Sequence, residues 1–273
     1  MINRLLVALI GIPILILVLI KGGFLLLIFC NLIIAIGMYE FYRMAELGGK
    51  RPSKRLGYVA GILIPNLIYF SSPDNIGVAI AFPIVLTVLG CMSKRVLENK
   101  VENSSTDVGI TLLGVVYVSV LFSHLLLMSY LPNGGKWLLS VQILVWVCDS
   151  FAYFTGMSIG RKIFKDGFSI ISPKKSIEGS IGGTLFTILA LYFLNKYVGL
   201  ITVSYSTYVI VLLGFAISVV AQIGDLGESM FKREFKIKDS GRVLGEHGGV
   251  LDRFDSMLFV VPTVYYILKL FIF

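Results

Sequence analysis

Long apolar runs separated by short polar segments dominate this chain. Crossing a bilayer core as a helix takes ~20 apolar residues, with a range of ~17–25. Runs over 3–20, 23–42, 57–70, 76–92, 108–130, 137–157, 181–200, 206–226 and 254–273 come close to that length. The pattern predicts an all-α, polytopic transmembrane helical bundle of about nine spans. The third run is short and is interrupted by Pro65 and Asn66. With the fourth it could instead form a re-entrant pair turning at residues 71–75, and either choice leaves the later topology unchanged.

Composition sharpens the picture. Of 273 residues, 56% are hydrophobic and 15% are charged, and the mean hydropathy is +0.88. Soluble domains run at ~45–50% apolar and ~25% charged. No polar segment is long enough to build a separate soluble domain. The N-terminus runs from Arg4 into an apolar span without a small-residue cleavage site, so no cleavable signal peptide is expected. Cys30, Cys91 and Cys148 lie in or at the ends of apolar spans, and an odd count there predicts packing residues rather than a disulfide framework.

Charge sets the orientation. With the N-terminus inside, 20 of the 24 Lys and Arg fall in inside segments, and only Lys21, Lys136, Lys196 and Lys269 fall outside. The N-terminus is expected in the cytoplasm and the C-terminus outside. The net charge of +8 reads both as this bias and as attraction to anionic lipid and nucleotide. Residues 1–135 are expected to form N-terminal transmembrane helices. Residues 136–273 are expected to form a C-terminal transmembrane region, the expected seat of any catalysis, with cytoplasmic loops at 158–180 and 229–253.

Three regions carry candidate chemistry, all on the cytoplasmic side. The first is Asp149, inside the sixth span and about 12 residues from Trp137, roughly 18 Å from the outer end. A buried Asp bonded to a neighbouring helix is the plainer reading; a functional ionisable group is the sharper one. The second is the loop 161–183. Ser172, Pro173, Lys174, Lys175 and Ser176 put cations beside hydroxyls, and Gly179, Gly182 and Gly183 follow at the next helix start. Helix N-terminal amides approached across glycine can hold an anion; an ordinary basic loop is the alternative.

The third region is the dense polar cluster at 229–255, flanked by apolar runs. Acidic residues able to hold a divalent ion alternate there with basic residues and glycines able to hold phosphate. Just before it, Asp225, Glu228, Ser229 and Lys232 share one helix face by spacing. Downstream come Glu246, His247, Gly248, Gly249, Asp252, Arg253 and Asp255. Helix capping is the plain reading for Asp252 and Asp255, and a structural role is the plain reading for His247. His124, in an apolar span beside Ser123, reads as a packing or hydrogen-bonded residue. The chain has no H-E-x-x-H, G-x-S-x-G or Walker-type phosphate loop.

The segment with Ser229, Lys232, Arg233, Lys238, Asp239, Gly241, Leu244, Gly245, His247, Gly248, Gly249, Asp252, Arg253 and Asp255 at these spacings resembles the signature of the phosphatidate cytidylyltransferases. The resemblance extends to Asp149-Ser150 and to residues 172–179, so it covers roughly 145–260. Phe151, Gly245-Glu246 and Ser176 depart from the family's usual small residue, Pro-Gly and Thr.

The resemblance implies that CTP and phosphatidic acid give CDP-diacylglycerol and pyrophosphate, with Mg²⁺ as cofactor and a second cation as an open alternative. A phosphomonoester has its second pKa near ~6, so the attacking oxygen needs no strong general base. The protein must position two anions and screen them. Metal binding is expected at Asp225 and Asp252, with Asp149 as third candidate. Lys174, Lys175, Lys232, Arg233 and Lys238 are expected to hold phosphates. His247, Gly248 and Gly249 line the transfer site, with Ser176, Ser229 and Arg253 at the substrates. Asp239, Asp255 and Glu228 play supporting parts. Asp225→Asn and Asp252→Asn are expected to fold normally yet lose turnover, whereas Asp107 and Asp74 lie outside the proposed site. The expected partners are the two substrates, membrane lipids and a second copy in a homodimer, with no nucleic acid. The rival readings are another CTP-using lipid kinase or transferase, such as a dolichol-type kinase, and a transporter of phosphorylated lipid. Transport calls for ionisable residues along a path to the outer face, and the outer half has almost none.

Overall fold

The computed structural model describes residues 2–165, 167–199, 207–241, 243, 245 and 248–273, with side chains from Leu9 onward. The chain is helical: α1 (Ile2–Lys21), α2 (Gly23–Leu47), α3 (Lys54–Phe70), α4 (Ile76–Leu97), α5 (Ser104–Gly114), α6 (Leu121–Ser129), α7 (Gly134–Ile159), α8 (Ile177–Val198), α9 (Thr207–Glu234) and α10 (Leu251–Phe271). A 3₁₀ turn at Pro73–Asn75 links α3 to α4, and a π-helical stretch at Val115–Val120 joins α5 to α6. Among the described residues there is no strand, only one isolated bridge between Gly167 and Ser176. Among the described residues, seven helical segments are long and apolar enough to cross a membrane: 23–47, 73–97, 104–129, 134–159, 177–198, 207–234 and 251–271. The described apolar part of α1 is shorter, Leu9–Lys21, and α3 has 17 residues.

Two expected spans differ in detail. The run at 108–130 is helical from 104 to 129 but carries the π-helical stretch in its middle, a feature that apolar periodicity does not announce. The run ending at 226 continues as α9 to Glu234. Asp225 therefore lies more than two turns inside a helix rather than at its end.

The chain divides into two compact units. One comprises Met1–Tyr130 with Phe231–Phe254; the other comprises Leu131–Met230 with Asp255–Phe273. In the first, α2 supplies much of the core through Leu26, Ile34, Met38 and Phe41. The Tyr42 hydroxyl donates to the Thr111 carbonyl at 2.8 Å, and Ser119 donates to the Gly61 carbonyl at 2.6 Å. Asp107, 3% exposed, accepts from the Arg51 amide at 2.8 Å and pairs with Arg95. It is a structural ion pair rather than a neutral surface position.

In the second unit, helices approach closely where residues are small, the usual solution for helix pairs in lipid. A Cβ at Gly183 of α8 would stand 2.9 Å from the Cys148 carbonyl of α7, and one at Gly179 would stand 2.7 Å from the Ala152 carbonyl. A Cβ at Gly182 would overlap Thr155. Gly182 and Gly183 are packing positions against α7, and Gly179 both packs there and lines the cavity described below. The three cysteines are free and buried, as expected.

Candidate active site

In the second unit a cavity of ≈ 430 Å³ is lined by Asp149, Lys174, Lys175, Ser176, Gln222 and Asp225, among others. Asp149 comes from α7, Gln222 and Asp225 from α9, and the rest from the loop before α8. The Lys175 ammonium pairs with Asp225 Oδ2. Ser229 Oγ lies 3.5 Å from Asp225 Oδ1, one helical turn along. Asp149 interacts electrostatically with both Asp225 and Lys175. Gln222 closes the polar floor, donating to Ser218 Oγ at 3.1 Å and Thr184 Oγ1 at 3.3 Å.

The loop is held in shape by its own sequence. Ser176 caps α8, its Oγ accepting from the Gly179 amide at 3.1 Å. The Phe168 amide donates to the Lys175 carbonyl at 3.0 Å, and the Arg161 guanidinium donates to the Pro173 carbonyl. Glu178, 3% exposed, accepts from the amides of Arg161, Ile163 and Phe164 at 3.1, 2.9 and 2.9 Å. That carboxylate ties the start of the loop to its end, so Lys174 and Lys175 are presented by a braced segment.

In the first unit, Asp252 is the centre of the signature loop. Its Oδ1 accepts from Lys232 Nζ at 2.7 Å. Its Oδ2 accepts from the Ser240 amide at 3.0 Å, Ser240 Oγ at 2.8 Å and the Gly249 amide at 2.8 Å. Gly248 sits at φ +82°, where a side chain is strained, and its Cβ would stand 2.9 Å from Asp252 Oδ2. Asp252 is thus both a helix-end group, the plain reading, and the hub that gathers Lys232, Ser240 and Gly249. Arg233, Lys238, Asp239 and Arg253 are exposed around it. His247 lies outside the described residues.

Sequence reasoning passed over Glu40. It is fully buried in α2, and it accepts from the amides of Val250 and Leu251 at 3.0 and 2.9 Å. Its one sequence signal is a lone carboxylate within an apolar span, which by default marks a functional position.

A divalent ion fits this donor set only in company with a substrate. Among the described residues no three His, Cys, Asp or Glu side chains gather closely enough to hold a metal alone. Mg²⁺ is commonly held by one or two carboxylates plus substrate phosphates, and Asp149 and Asp225 facing one cavity meet that requirement. Asp252 belongs to the other unit and is described there.

Apolar helices, a lysine-bearing cavity and a signature loop of carboxylates and glycines define a membrane enzyme acting on phosphorylated substrates. The chain belongs to the cytidylyltransferase family, whose model matches residues 2–271. It is 34% identical over 265 residues to a phosphatidate cytidylyltransferase of Staphylococcus epidermidis, covering 96% of each chain. The same identity holds over 271 residues with that of Staphylococcus aureus, again 96% of each. With that of Bacillus subtilis it holds over 244 residues, 87% of this chain and 86% of the relative.

Proposed function

We propose that this chain transfers the cytidylyl group of CTP to phosphatidic acid in phospholipid biosynthesis, releasing pyrophosphate. The observation that carries the reading is the cavity where Lys174 and Lys175 stand beside Asp149 and Asp225, in a chain matched to the family along its length. A phosphate oxygen of the lipid forms the bond to the α-phosphorus of CTP, and the bond from that phosphorus to the β-phosphate oxygen breaks. The attacking phosphomonoester is already largely ionised, with its second pKa near ~6, so no side chain need remove its proton.

Positioning and charge screening are the protein's contribution. Lys174 and Lys175 bind nucleotide phosphates. Lys232, Arg233, Lys238 and Arg253 serve the phosphates from the signature loop, with His247, Gly248 and Gly249 lining the transfer site. Asp149 and Asp225 would hold Mg²⁺, and Asp252 is a further candidate ligand within its own unit. Bound Mg²⁺ supplies screening of the triphosphate and polarisation of the reacting phosphate. Asp225 accepts the Lys175 ammonium in this structure. With Asp225 serving as a metal ligand, Lys175 would be free to bind a nucleotide phosphate.

We place the N-terminus and the site on the cytoplasmic side of a bundle of about nine spans, on the charge asymmetry of the segments. The protein works as a homodimer without nucleic acid. The test is conversion of radiolabelled CTP by the purified protein into a chloroform-soluble product. Product is expected with phosphatidate and Mg²⁺. With CTP labelled at the α-phosphate only cytidylyl transfer labels the lipid; a labelled product from dolichol and CTP labelled at the γ-phosphate identifies a CTP-dependent kinase instead, and turnover with neither overturns the assignment.

A further inference from the structure

Glu40 is an intramembrane carboxylate that the reaction as described does not use. Such a group is costly to bury and persists where partners hold it. Its partners all lie in the signature loop, some two hundred residues later. Leu251 opens α10 and Val250 immediately precedes it, where the first amides of a helix have no partner within it. Glu40 accepts both, at 3.0 and 2.9 Å. It caps α10 from another helix, at the end where negative charge is favoured.

The same carboxylate reaches Asp252 through one atom. Ser240 Oγ lies 3.4 Å from Glu40 Oε2 and 2.8 Å from Asp252 Oδ2. A hydroxyl has one hydrogen to give, and the shorter contact assigns it to Asp252. Two signature glycines face Glu40 as well. A Cβ at Gly249 would stand 2.6 Å from Glu40 Oε1, and one at Gly241 would stand 2.8 Å from Glu40 Cδ. The room that Gly241 and Gly249 leave is the room the carboxylate occupies.

We propose that Glu40 is a positioning residue for cytidylyl transfer, holding Ser240 and residues 249–251 so that Asp252 and Lys232 stay aligned for the substrates. The proposal rests on the transferase reading above. Misplacing a reacting group by ~1 Å can cost ~100-fold in rate. Glu40→Gln keeps the volume, removes the charge and turns an amide N–H₂ toward backbone N–H donors.

The test uses full-length purified protein, with kcat counted per folded molecule. For Glu40→Gln we expect kcat to fall ~100-fold with KM for CTP changed no more than about threefold. Because Glu40 acts through Asp252, the double variant with Asp252→Asn should be no slower than Asp252→Asn alone. A purely structural role would lower the folded fraction and leave kcat intact. Wild-type kcat in Glu40→Gln, or losses that multiply in the double variant, overturns the proposal. If Glu40→Gln does not fold, Glu40→Asp decides, since it keeps the charge but shortens the reach to the Val250 and Leu251 amides while leaving Ser240 and Asp252 untouched. There, a loss of about tenfold in kcat is expected, and wild-type kcat refutes the idea. Should wild-type protein make no lipid nucleotide, the transferase reading falls by itself. The positioning claim is then judged by trypsin cleavage after Lys236 and Lys238, which should be faster in Glu40→Gln; equal rates reject it.

Discussion

Replacing Asp252 with Asn should have a different thermodynamic consequence from the same change at Asp225. Both carboxylates pair with a lysine, but the Lys232 and Asp252 side chains are 15% and 11% exposed, against 32% and 31% for Lys175 and Asp225. An Asn at 252 can keep its oxygen toward Ser240 and Gly249. Its N–H₂ group then faces the Lys232 ammonium, donor against donor. Breaking a fully buried ion pair costs about 3–5 kcal/mol and an exposed pair is worth about 0–1 kcal/mol; both pairs are part-buried, the Asp252 pair nearer the first limit and the Asp225 pair nearer the second. Asp252→Asn should therefore melt well below wild type and Asp225→Asn close to it, in contrast to the sequence-based expectation that both fold normally. The cysteines provide the assay. Cys30, Cys91 and Cys148 are all free and buried, so a thiol-reactive fluorophore reports unfolding on heating. Adding Lys232→Met to Asp252→Asn removes the ammonium that faces the Asn N–H₂ group and should recover part of the lost stability. Equal melting of the two Asn variants, or no recovery in the double variant, would refute the reasoning.

Other outcomes follow from the same geometry. Lys174→Gln and Lys175→Gln should each lower kcat/KM for CTP by about one to two orders of magnitude, since a bond to a charged group is worth ~1.5–3 kcal/mol and each decade is ~1.4 kcal/mol. Steady-state kinetics check this. Asp107→Asn breaks the buried pair with Arg95 and should lower the melting temperature, whereas the exposed Asp74 should tolerate Asn without change in melting or turnover. Gly183→Leu drives a side chain into the α7 backbone and should cost about 1–3 kcal/mol, read in the same melt. Single cysteines at Lys50, Lys100 and Lys165 should react with an impermeant thiol reagent only once the inner face is opened, and one at Lys136 should react in intact cells.

Helix positions were legible because apolar runs in lipid leave little choice of structure. The runs at 57–70 and 76–92 appear as α3 and α4, and the i, i+4 spacing of Asp225 and Ser229 appears as a contact at 3.5 Å. Lys174, Lys175, Ser176, Asp149 and Asp225, separated by up to 76 positions, share a cavity. The sequence did not reveal the π-helical stretch, because period alone does not separate it from an α-helix. Nor did it reveal whether Gly179, Gly182 and Gly183 serve phosphate or packing, because both uses need the same missing Cβ. The Asp107–Arg95 pair and the Glu40 contacts were invisible for another reason. Each joins groups from separate segments, and no local pattern names the partner, even where Glu40 itself stands out as a lone carboxylate in an apolar run.

Glu40 also bears on how the chain can be cut. A fragment starting at residue 136 would carry every residue of the signature, and on motif grounds would pass for a minimal enzyme. It would lack the carboxylate that accepts the Val250 and Leu251 amides. Two backbone donors that the intact protein buries would be left unsatisfied, at about 1–3 kcal/mol each. Supplying residues 1–135 as a separate polypeptide should restore what the fragment lacks, so the early helices are a mating half of the enzyme and not a leash to the bilayer.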